Sequence, residues 1–233
     1  MDARIIGTVM PVLEIGLQPG ESVVAEAGQL SWMTDSIRLH TSARVGGGMF
    51  RAVKRAFTGA GFFMTEYGAD RHPGMVAFAA RLPGQIVPIT LESGADYLVH
   101  RYGFLCGVGD VRVSTSFQRR LGAGIFGGEG FILARVSGSG HAWVELSGEV
   151  VQYDLARGET LRVHPGHVGM FDAGVSFDIT LMRGVRNILF GGDGLFLAAL
   201  TGPGRVWLQS LTISNLAQAL LPYLPLPERD NGQ

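Results

Sequence analysis

The feature that most constrains this chain is a sequence pattern that recurs three times in tandem. Residues 17–42, 91–116 and 155–180 align without a gap, and each segment begins Leu-x-x-Gly and continues into an extended run. A turn region follows, and then a run in which apolar and polar residues alternate, at residues 37–40, 111–114 and 175–178. Such alternation is typical of a strand with one buried face. Each segment therefore predicts a β-rich unit.

Glycine marks further positions that the three copies share. One of them is a turn position where positive φ is the simplest reason for glycine, and it holds Gly20, Gly94 and Gly158. A Phe-x-Gly-x-Gly motif comes later in each copy, beginning at Phe57, Phe126 and Phe190. Apolar runs in pairs follow that motif, and we predict that a turn separates each pair, at residues 69–74, 137–140 and 201–204.

One unit of this kind offers about five or six short strands, which bury too little surface to be stable alone. Three units around a common axis would pool their apolar faces into one core and protect their strand edges. We therefore predict an all-β fold with little helix, in which three tandem repeats form a β-prism or barrel with approximate three-fold symmetry.

The predicted domain covers residues 1–221, with repeats of about 9–80, 81–146 and 147–213. A short helix is expected from Ser214 to Leu221, with Ser214 as its N-cap and Pro222 as its stop. A second short helix is expected within residues 48–57, and residues 222–233 are expected to form a flexible polar tail.

Composition excludes several classes of function. The net charge of −1 gives no global attraction to nucleic acid. Cys106 is the only cysteine, so it cannot build a cysteine zinc site, and we interpret it as a buried thiol. Residues 122–127 match Gly-x-Gly-x-x-Gly, but a β-rich run follows where a dinucleotide site needs a helix. No long apolar segment is present, so a cytoplasmic protein is expected.

Three sequence blocks carry a family resemblance: Gly-Gln-Leu-Ser-Trp-Met at 28–33, Met-Phe-Arg-Ala-Val-Lys-Arg at 49–55, and the Phe-x-Gly-x-Gly motif. Together they resemble the "altered inheritance of mitochondria" family, from about Val9 to Leu221. The resemblance implies three fused units with a fold like the tryptophan RNA-binding attenuation protein, similar to a double-stranded β-helix. No Lys-Lys-Arg pattern recurs in each unit, so no specific nucleic-acid partner is expected.

A basic cluster is the first candidate site. Each copy places cations two to seven residues before the phenylalanine of its glycine motif, and under three-fold symmetry these charges would gather at one end. They could then bind a phosphate-bearing ligand or an acidic lipid surface. The alternative is that they are solvated charges that pair with Glu129, Asp193 or Asp172. The residues are Arg51, Lys54, Arg55, Arg119, Arg120, Arg183 and Arg186.

A metal site is the second candidate, because Glu26, His100 and His164 share one position in the alignment. Two imidazoles and a carboxylate around an axis would suit a divalent cation, and His167 could add a fourth ligand. The alternative is that these histidines are structural or lie on the surface. The three tryptophans, at positions 32, 143 and 207, lie in apolar runs and are expected in the core.

No catalytic constellation is recognisable, so the leading hypothesis is a non-enzymatic binding or scaffold protein without a cofactor. The high apolar content and the open strand edges of repeat β folds favour a homo-oligomer. One alternative hypothesis is a binder of anions or acidic lipid surfaces that uses the basic cluster. A further alternative is a metal-dependent enzyme centred on Glu26, His100 and His164.

Overall fold

The computed structural model describes residues 1–40, 63–92, 94–119, 131–182 and 195–224, and most of them lie in strands. For the description we call residues 9–80 unit 1, residues 81–146 unit 2 and residues 147–213 unit 3. The N-terminal strand precedes unit 1, and six further strands follow it: β1 Asp2–Ile6, β2 Val12–Leu17, β3 Ser22–Glu26, β4 Trp32–Met33, β5 Ile37–His40, β6 Met64–Ala69 and β7 Gly74–Ala79.

Unit 2 contains four strands, two of them long: β8 Gly84–Leu91, β9 Tyr97–His100, β10 Phe104–Arg119 and β11 Phe131–Ser147. Unit 3 contains six strands: β12 Val150–Leu155, β13 Thr160–Val163, β14 Val168–Asp172, β15 Ser176–Met182, β16 Leu195–Thr201 and β17 Gly204–Gln209. A 3-10 turn at Pro165–His167 precedes β14, and the helix α1, Ile213–Leu220, follows β17 before a last 3-10 turn at Leu221–Tyr223.

The strands of each unit pair in the same arrangement. In unit 1, β7 pairs with β2 and β4, whereas β6 pairs with β3 and β5. In unit 3, β17 pairs with β12 and β14, whereas β16 pairs with β13 and β15. In unit 2 a single strand, β11, takes both roles. Its second half pairs with β8 and with the first part of β10, and its first half pairs with β9 and with the last part of β10. All of these pairs are antiparallel.

Neighbouring units join through strand edges, and both junctions have the same register. β10 of unit 2 pairs with β3 of unit 1, so that Cys106 faces Ala25. β14 of unit 3 pairs with β9 of unit 2, so that Met170 faces Val99. Cys106 and Met170 each lie fifteen residues after the first leucine of their copy, and Ala25 and Val99 each lie eight residues after theirs.

These pairings build three sheets from the described residues. A four-stranded sheet has the order β1-β2-β7-β4, a ten-stranded sheet runs from β12 to β5, and a three-stranded sheet has the order β13-β16-β15. The prediction of an all-β fold with little helix is confirmed. Within the described ranges no sheet closes into a barrel, and the three-fold prism stays a prediction.

The apolar core of the described residues consists of three clusters rather than one pooled interior. The first cluster is built mainly from unit 1 and includes Leu105 and Trp143 from unit 2. The second is built mainly from unit 3 and includes Leu133 from unit 2. The third belongs mainly to unit 2 and takes in Met170 and Trp207 from unit 3. Each unit therefore has its own core, and a few side chains lock it to its neighbour.

The turn predicted at residues 137–140 is wrong, because β11 continues through them without reversing. Arg112 faces Ser137 and Asp110 faces Ser139 across the ladder with β10. Gly138 has φ +119, and a Cβ built on it would lie 1.8 Å from the carbonyl oxygen of Asp110. Glycine therefore serves a close approach of two backbones here rather than a hairpin.

The other glycine predictions are confirmed. The turn glycines Gly20, Gly94 and Gly158 have φ values of 87, 90 and 80°. Strand β6 ends before the turn at 69–74 and β7 begins at its end, while β16 and β17 flank residues 202–203 in the same way. Each of these turns carries the chain from one sheet to another, since β6 and β7, like β16 and β17, belong to different sheets.

Two smaller predictions need correction. The C-terminal helix forms, but its N-cap is Thr212 rather than Ser214, because the Thr212 hydroxyl accepts from the Asn215 backbone N–H. Trp143 and Trp207 are buried as expected, whereas Trp32 is 46% exposed. Strand β4, which carries Trp32, pairs only with β7 among the described strands, so one of its edges has no neighbour in that part of the chain. The helix expected within residues 48–57 lies outside the described ranges.

We predict that Gly138→Ala destabilises the fold by about 3 kcal/mol or more, because its methyl group would collide with the backbone of β10. Gly158→Ala is the matched control, since Gly158 also has positive φ but nothing lies within 4 Å of its Cβ position. We expect that control to cost about 1–2 kcal/mol, the strain of positive φ alone. Urea unfolding measures both, and failure of Gly138→Ala to fold would be the extreme of the expected result. Equal losses in the two variants would contradict the close crossing.

Candidate functional site

The predicted basic cluster lies outside what the structure describes. Arg51, Lys54, Arg55, Arg120, Arg183 and Arg186 fall in the undescribed stretches, and only the backbone of Arg119 is described, at the end of β10. Each stretch connects two paired strands, namely β5 to β6, β10 to β11 and β15 to β16. Asp172, one of the predicted partners of these cations, pairs instead with Arg205. Whether the cations gather stays a prediction.

The three residues of the predicted metal site have different partners. Glu26 accepts a hydrogen bond from Arg101 Nη1 at 2.9 Å, and the Nε2 atom of His100 lies 3.3 Å from the carbonyl oxygen of Glu145. His164 follows β13, and its ring centroid lies 5.9 Å from that of His167. In the described part of the chain no three His, Cys, Asp or Glu side chains are grouped to hold a metal ion. The metal hypothesis stays a prediction.

A charged cluster surrounds His100 at the boundary between units 1 and 2. Glu145 is 8% exposed, and its carboxylate accepts from the side chain of Arg81 at 2.5 Å and from the backbone N–H of Arg81 at 3.0 Å. Arg81 also donates to the carbonyl oxygen of Tyr102. The guanidinium groups of Arg81 and Arg101 lie 5.6 and 5.4 Å from the centre of the Tyr102 ring. These contacts hold the segment between β7 and β8 in place.

Electrostatics agree with a structural role for this cluster. Burial is the main reason why the pKa of His100 is lowered to about 4; the hydrogen bond to the Glu145 carbonyl opposes this shift, and the charge of the nearby Arg81 adds to it. The imidazole is therefore neutral near pH 7. Burial also raises the pKa of the Cys106 thiol well above its ordinary value, so Cys106 is a poor nucleophile. The interpretation of Cys106 as a buried thiol is confirmed.

The segments that lead into the units meet at one end of the molecule. Their backbones are linked by a series of hydrogen bonds whose acceptors each lie eight residues before the first leucine of a copy. The bonds run from Gly84 N to Val9 O at 2.9 Å, from Gly148 N to Pro83 O at 2.7 Å and from Leu211 N to Ser147 O at 3.1 Å. A groove of about 520 Å³ lies among these segments and reaches Ile5, Ile86 and Glu149.

This end of the molecule is unusually apolar. Helix α1 starts two residues after Leu211 and has no buried residue, although Ile213, Leu216 and Leu220 follow helical spacing along one face. We define the apolar end as the exposed side chains of the N-terminal segment and of the helix with the turn after it: Ile5, Ile6, Val9, Met10, Ile213, Leu220, Leu221, Tyr223 and Leu224.

Sequence reasoning predicted the helix but missed the apolar end. The signal was present in the spacing of Ile213, Leu216, Ala217 and Leu220, which indicates an amphipathic helix. What the sequence does not show is that the core leaves this face uncovered. The exposed apolar residues of the N-terminal segment are also about two hundred positions away from the helix in the chain.

We predict that His100 makes the fold sensitive to acid. Its pKa in the folded protein, about 4, lies below the ordinary value of 6.5, so the unfolded chain binds more protons between these values. The contribution of His100 to stability is therefore complete above pH 6.5 and is lost as the pH falls towards 4. We expect a loss of about 2 kcal/mol between pH 7 and 4.5, since each unit of pKa shift corresponds to about 1.4 kcal/mol and the ring keeps some contact with solvent.

Urea unfolding at a series of pH values measures this loss. His100→Gln keeps a donor for the Glu145 carbonyl but cannot titrate, so its stability should fall less steeply with acid. His72→Gln is the control, because His72 is exposed and its replacement should leave the wild-type slope. If His100→Gln kept the wild-type slope, buried neutral His100 would not be the source of the acid sensitivity.

No helix in the described part of the chain has the length and apolar character needed to cross a bilayer.

Comparisons with known proteins agree on the fold. The chain is 28% identical over 221 residues to the uncharacterized protein M6_Spy0233 of Streptococcus pyogenes serotype M6. The alignment covers 92% of this chain and 87% of that protein. The crystal structure of protein SPYM3_0169 from Streptococcus pyogenes superimposes on this chain with a TM-score of 0.76 at 25% sequence identity. The superposition covers 96% of this chain and 99% of the Streptococcus pyogenes chain.

The predicted family resemblance is also tested directly. The family model described as mitochondrial biogenesis AIM24 matches residues 3–211, which is nearly the whole of the three units and includes the sequence blocks on which the resemblance was based. The likeness to the tryptophan RNA-binding attenuation protein stays a prediction. The chain therefore belongs to the mitochondrial biogenesis AIM24 family.

Proposed function

We propose that this protein is a non-enzymatic binding or scaffold protein that associates with a second copy of itself through the apolar end. The observation that carries the proposal is helix α1, an amphipathic helix without one buried residue. Exposed apolar surface of this extent is costly in water and marks interaction sites. Tyr223, which follows the helix, is 83% exposed, and tyrosine is among the residues enriched where proteins bind one another.

Charge favours a second copy over an acidic lipid surface as the occupant. Residues 213–224 contain no charged side chain, whereas helices that bind acidic membranes usually carry Lys or Arg on their polar face. Ser214, Asn215 and Gln218 supply the polar positions of α1 instead. An uncharged apolar helix is complementary to itself, as a two-fold symmetric interface requires.

The second copy also has room to dock. The groove of about 520 Å³ lies beside Gly148 and Glu149, close to where the chain leaves β17 for α1. A Cβ on Gly148 would lie 2.7 Å from the backbone nitrogen of Leu211, so the groove extends to the segment that leads into the helix. We therefore expect the helix of one copy to face this groove of the other, as in helix-in-groove recognition.

Light scattering after gel filtration tests self-association. We expect the wild-type protein to show twice the monomer mass of 24.9 kDa, and Leu220→Glu with Leu221→Glu to show the monomer mass, because the charges would be buried against an apolar partner. Leu39→Glu is the matched control, since Leu39 on β5 is 52% exposed and lies outside the apolar end. A wild-type mass of one monomer at every concentration would refute the proposal.

We also infer that the three units surround a common axis as the predicted prism, which requires a third junction between units 1 and 3. The strands equivalent to those of the other two junctions each have a free edge among the described residues: β4 pairs only with β7, and β13 pairs only with β16. The shared register of the other two junctions identifies the partners. Trp32 lies fifteen residues after Leu17, and Val163 lies eight after Leu155, so Trp32 should face Val163.

The exposure of Trp32 supports the idea that this junction is the weakest of the three. Cys106 and Met170, which occupy the same position in units 2 and 3, are both completely buried, whereas Trp32 is 46% exposed. A strand of two residues also offers little backbone for pairing, since strands of about five residues are usual. Side-chain packing of the indole on β13 would then supply most of the contact.

Disulfide formation tests the third junction. In Trp32→Cys with Val163→Cys we expect a cross-link within one chain under mild oxidation, because opposing Cβ atoms lie within bonding reach. Trp32→Cys with Arg162→Cys is the control, since a shift of one residue turns the side chain to the other face. Cross-links between two chains, or equal yields in the two variants, would contradict closure within the chain.

A further inference from the structure

We infer that a cleft between β5 and the turn from β6 to β7 binds a phosphate group. The cleft has a volume of about 320 Å³ and is lined by Ser36, Arg38, Asp70, Arg71 and His72. It lies in unit 1, separate from the apolar end, and it shares no residue with the basic cluster predicted from the sequence. The proposal goes beyond self-association and stands on its own observations.

The turn that carries Arg71 and His72 is fixed against β5. The Ser36 hydroxyl donates to the carbonyl oxygen of Pro73 at 2.9 Å. Directly after the turn, a Cβ on Gly74 would lie 2.6 Å from the Ser36 hydroxyl oxygen, so glycine allows the two segments to touch. The basic side chains of the turn therefore start from a backbone that is already in position.

Backbone carbonyl groups orient the side chain of Arg38 by contacting one nitrogen of its guanidinium group. Its Nη1 atom donates to the carbonyl oxygen of Asp35 at 2.8 Å and approaches that of Ile37 at 3.4 Å. The remaining N–H groups of this planar fork are then available for a ligand in the cleft. Because the side chain is held before binding, less conformational entropy is lost when an anion binds.

The arginines of this cleft differ from most others in the described part of the chain. Six arginines there pair with a carboxylate: Arg4, Arg81, Arg101, Arg112, Arg135 and Arg205. Among the described residues, Arg38 and Arg71 have no such ion pair. Asp70 is the one acidic residue in the described lining of the cleft, and it already has an interaction of its own. The lining thus carries an excess of positive charge.

This chemistry suits a phosphate group better than a carboxylate. Two guanidinium groups and an imidazole present N–H donors from several directions, which matches the tetrahedral oxygens and double charge of a phosphate monoester. The cleft is larger than one phosphate, so part of the molecule that carries it also fits. A soluble phosphate ester and the headgroup of a phosphatidic acid both offer this chemistry.

Titration of the full-length protein tests the site. Amide resonances of residues 36–38 and 70–72 should shift in two-dimensional NMR spectra when inorganic phosphate or glycerol phosphate is added. Arg71→Ala with His72→Ala should weaken this binding about tenfold, as expected for the loss of a charge-assisted hydrogen bond. Arg157→Ala is the matched control, because Arg157 is an exposed arginine without an ion pair in the described region.

Flotation with vesicles of phosphatidylcholine, with and without phosphatidic acid, separates the two sources of phosphate. Binding of the soluble anions supports a soluble ligand, and binding only to the phosphatidic acid vesicles supports a lipid headgroup. In either case the Arg71→Ala and His72→Ala variant must lose the binding while Arg157→Ala keeps it. No binding to any probe, or an equal loss in the control, would overturn the proposal.

Discussion

The fold depends on the continuous pairing of β10 with β11. These two strands of unit 2 run side by side through fourteen paired positions between Phe104 and Arg119, and each also pairs with a neighbour: β10 with β3 of unit 1, and β11 with β8 and β9. Where the two strands come closest, glycine has no side chain, so the backbones of β10 and β11 can approach each other. Units 1 and 3 are then positioned by edges that this pair and β9 provide, and the separate apolar clusters follow from that arrangement.

The sequence predicted what depends on local backbone chemistry. The strand at Ile37–His40 has the bounds expected, and the turn glycines have positive φ because no other residue adopts it without strain. Prediction from the sequence failed where one residue type can serve two structural purposes. Ser137 to Gly140 has the composition of a turn, but the same glycines serve a close approach of strands. Thr212 and Ser214 are both good caps, and only the position of Asn215 decides between them.

The candidate sites were less predictable, because they depend on which distant segments meet. Arg38 and Arg71 are separated by more than thirty residues and reach one cleft only through the fixed turn after β6. Trp32 has the apolar character of a core residue, yet it is 46% exposed, because strand β4 lies at the edge of its sheet. The aligned Glu26, His100 and His164 have separate partners in the structure, since equivalence in sequence does not by itself bring side chains together.

The continuous strands of unit 2 have a consequence for how such a chain can be divided. A protein of three tandem copies invites expression in thirds, but residues 131–147 of β11 serve both strand groups of the central unit. A cut at the turn predicted near Ser139 would leave each fragment with half a ladder and unsatisfied amide and carbonyl groups. The middle copy therefore cannot be divided within β11. Deletion mapping of partners would have to keep unit 2 intact and remove whole outer units.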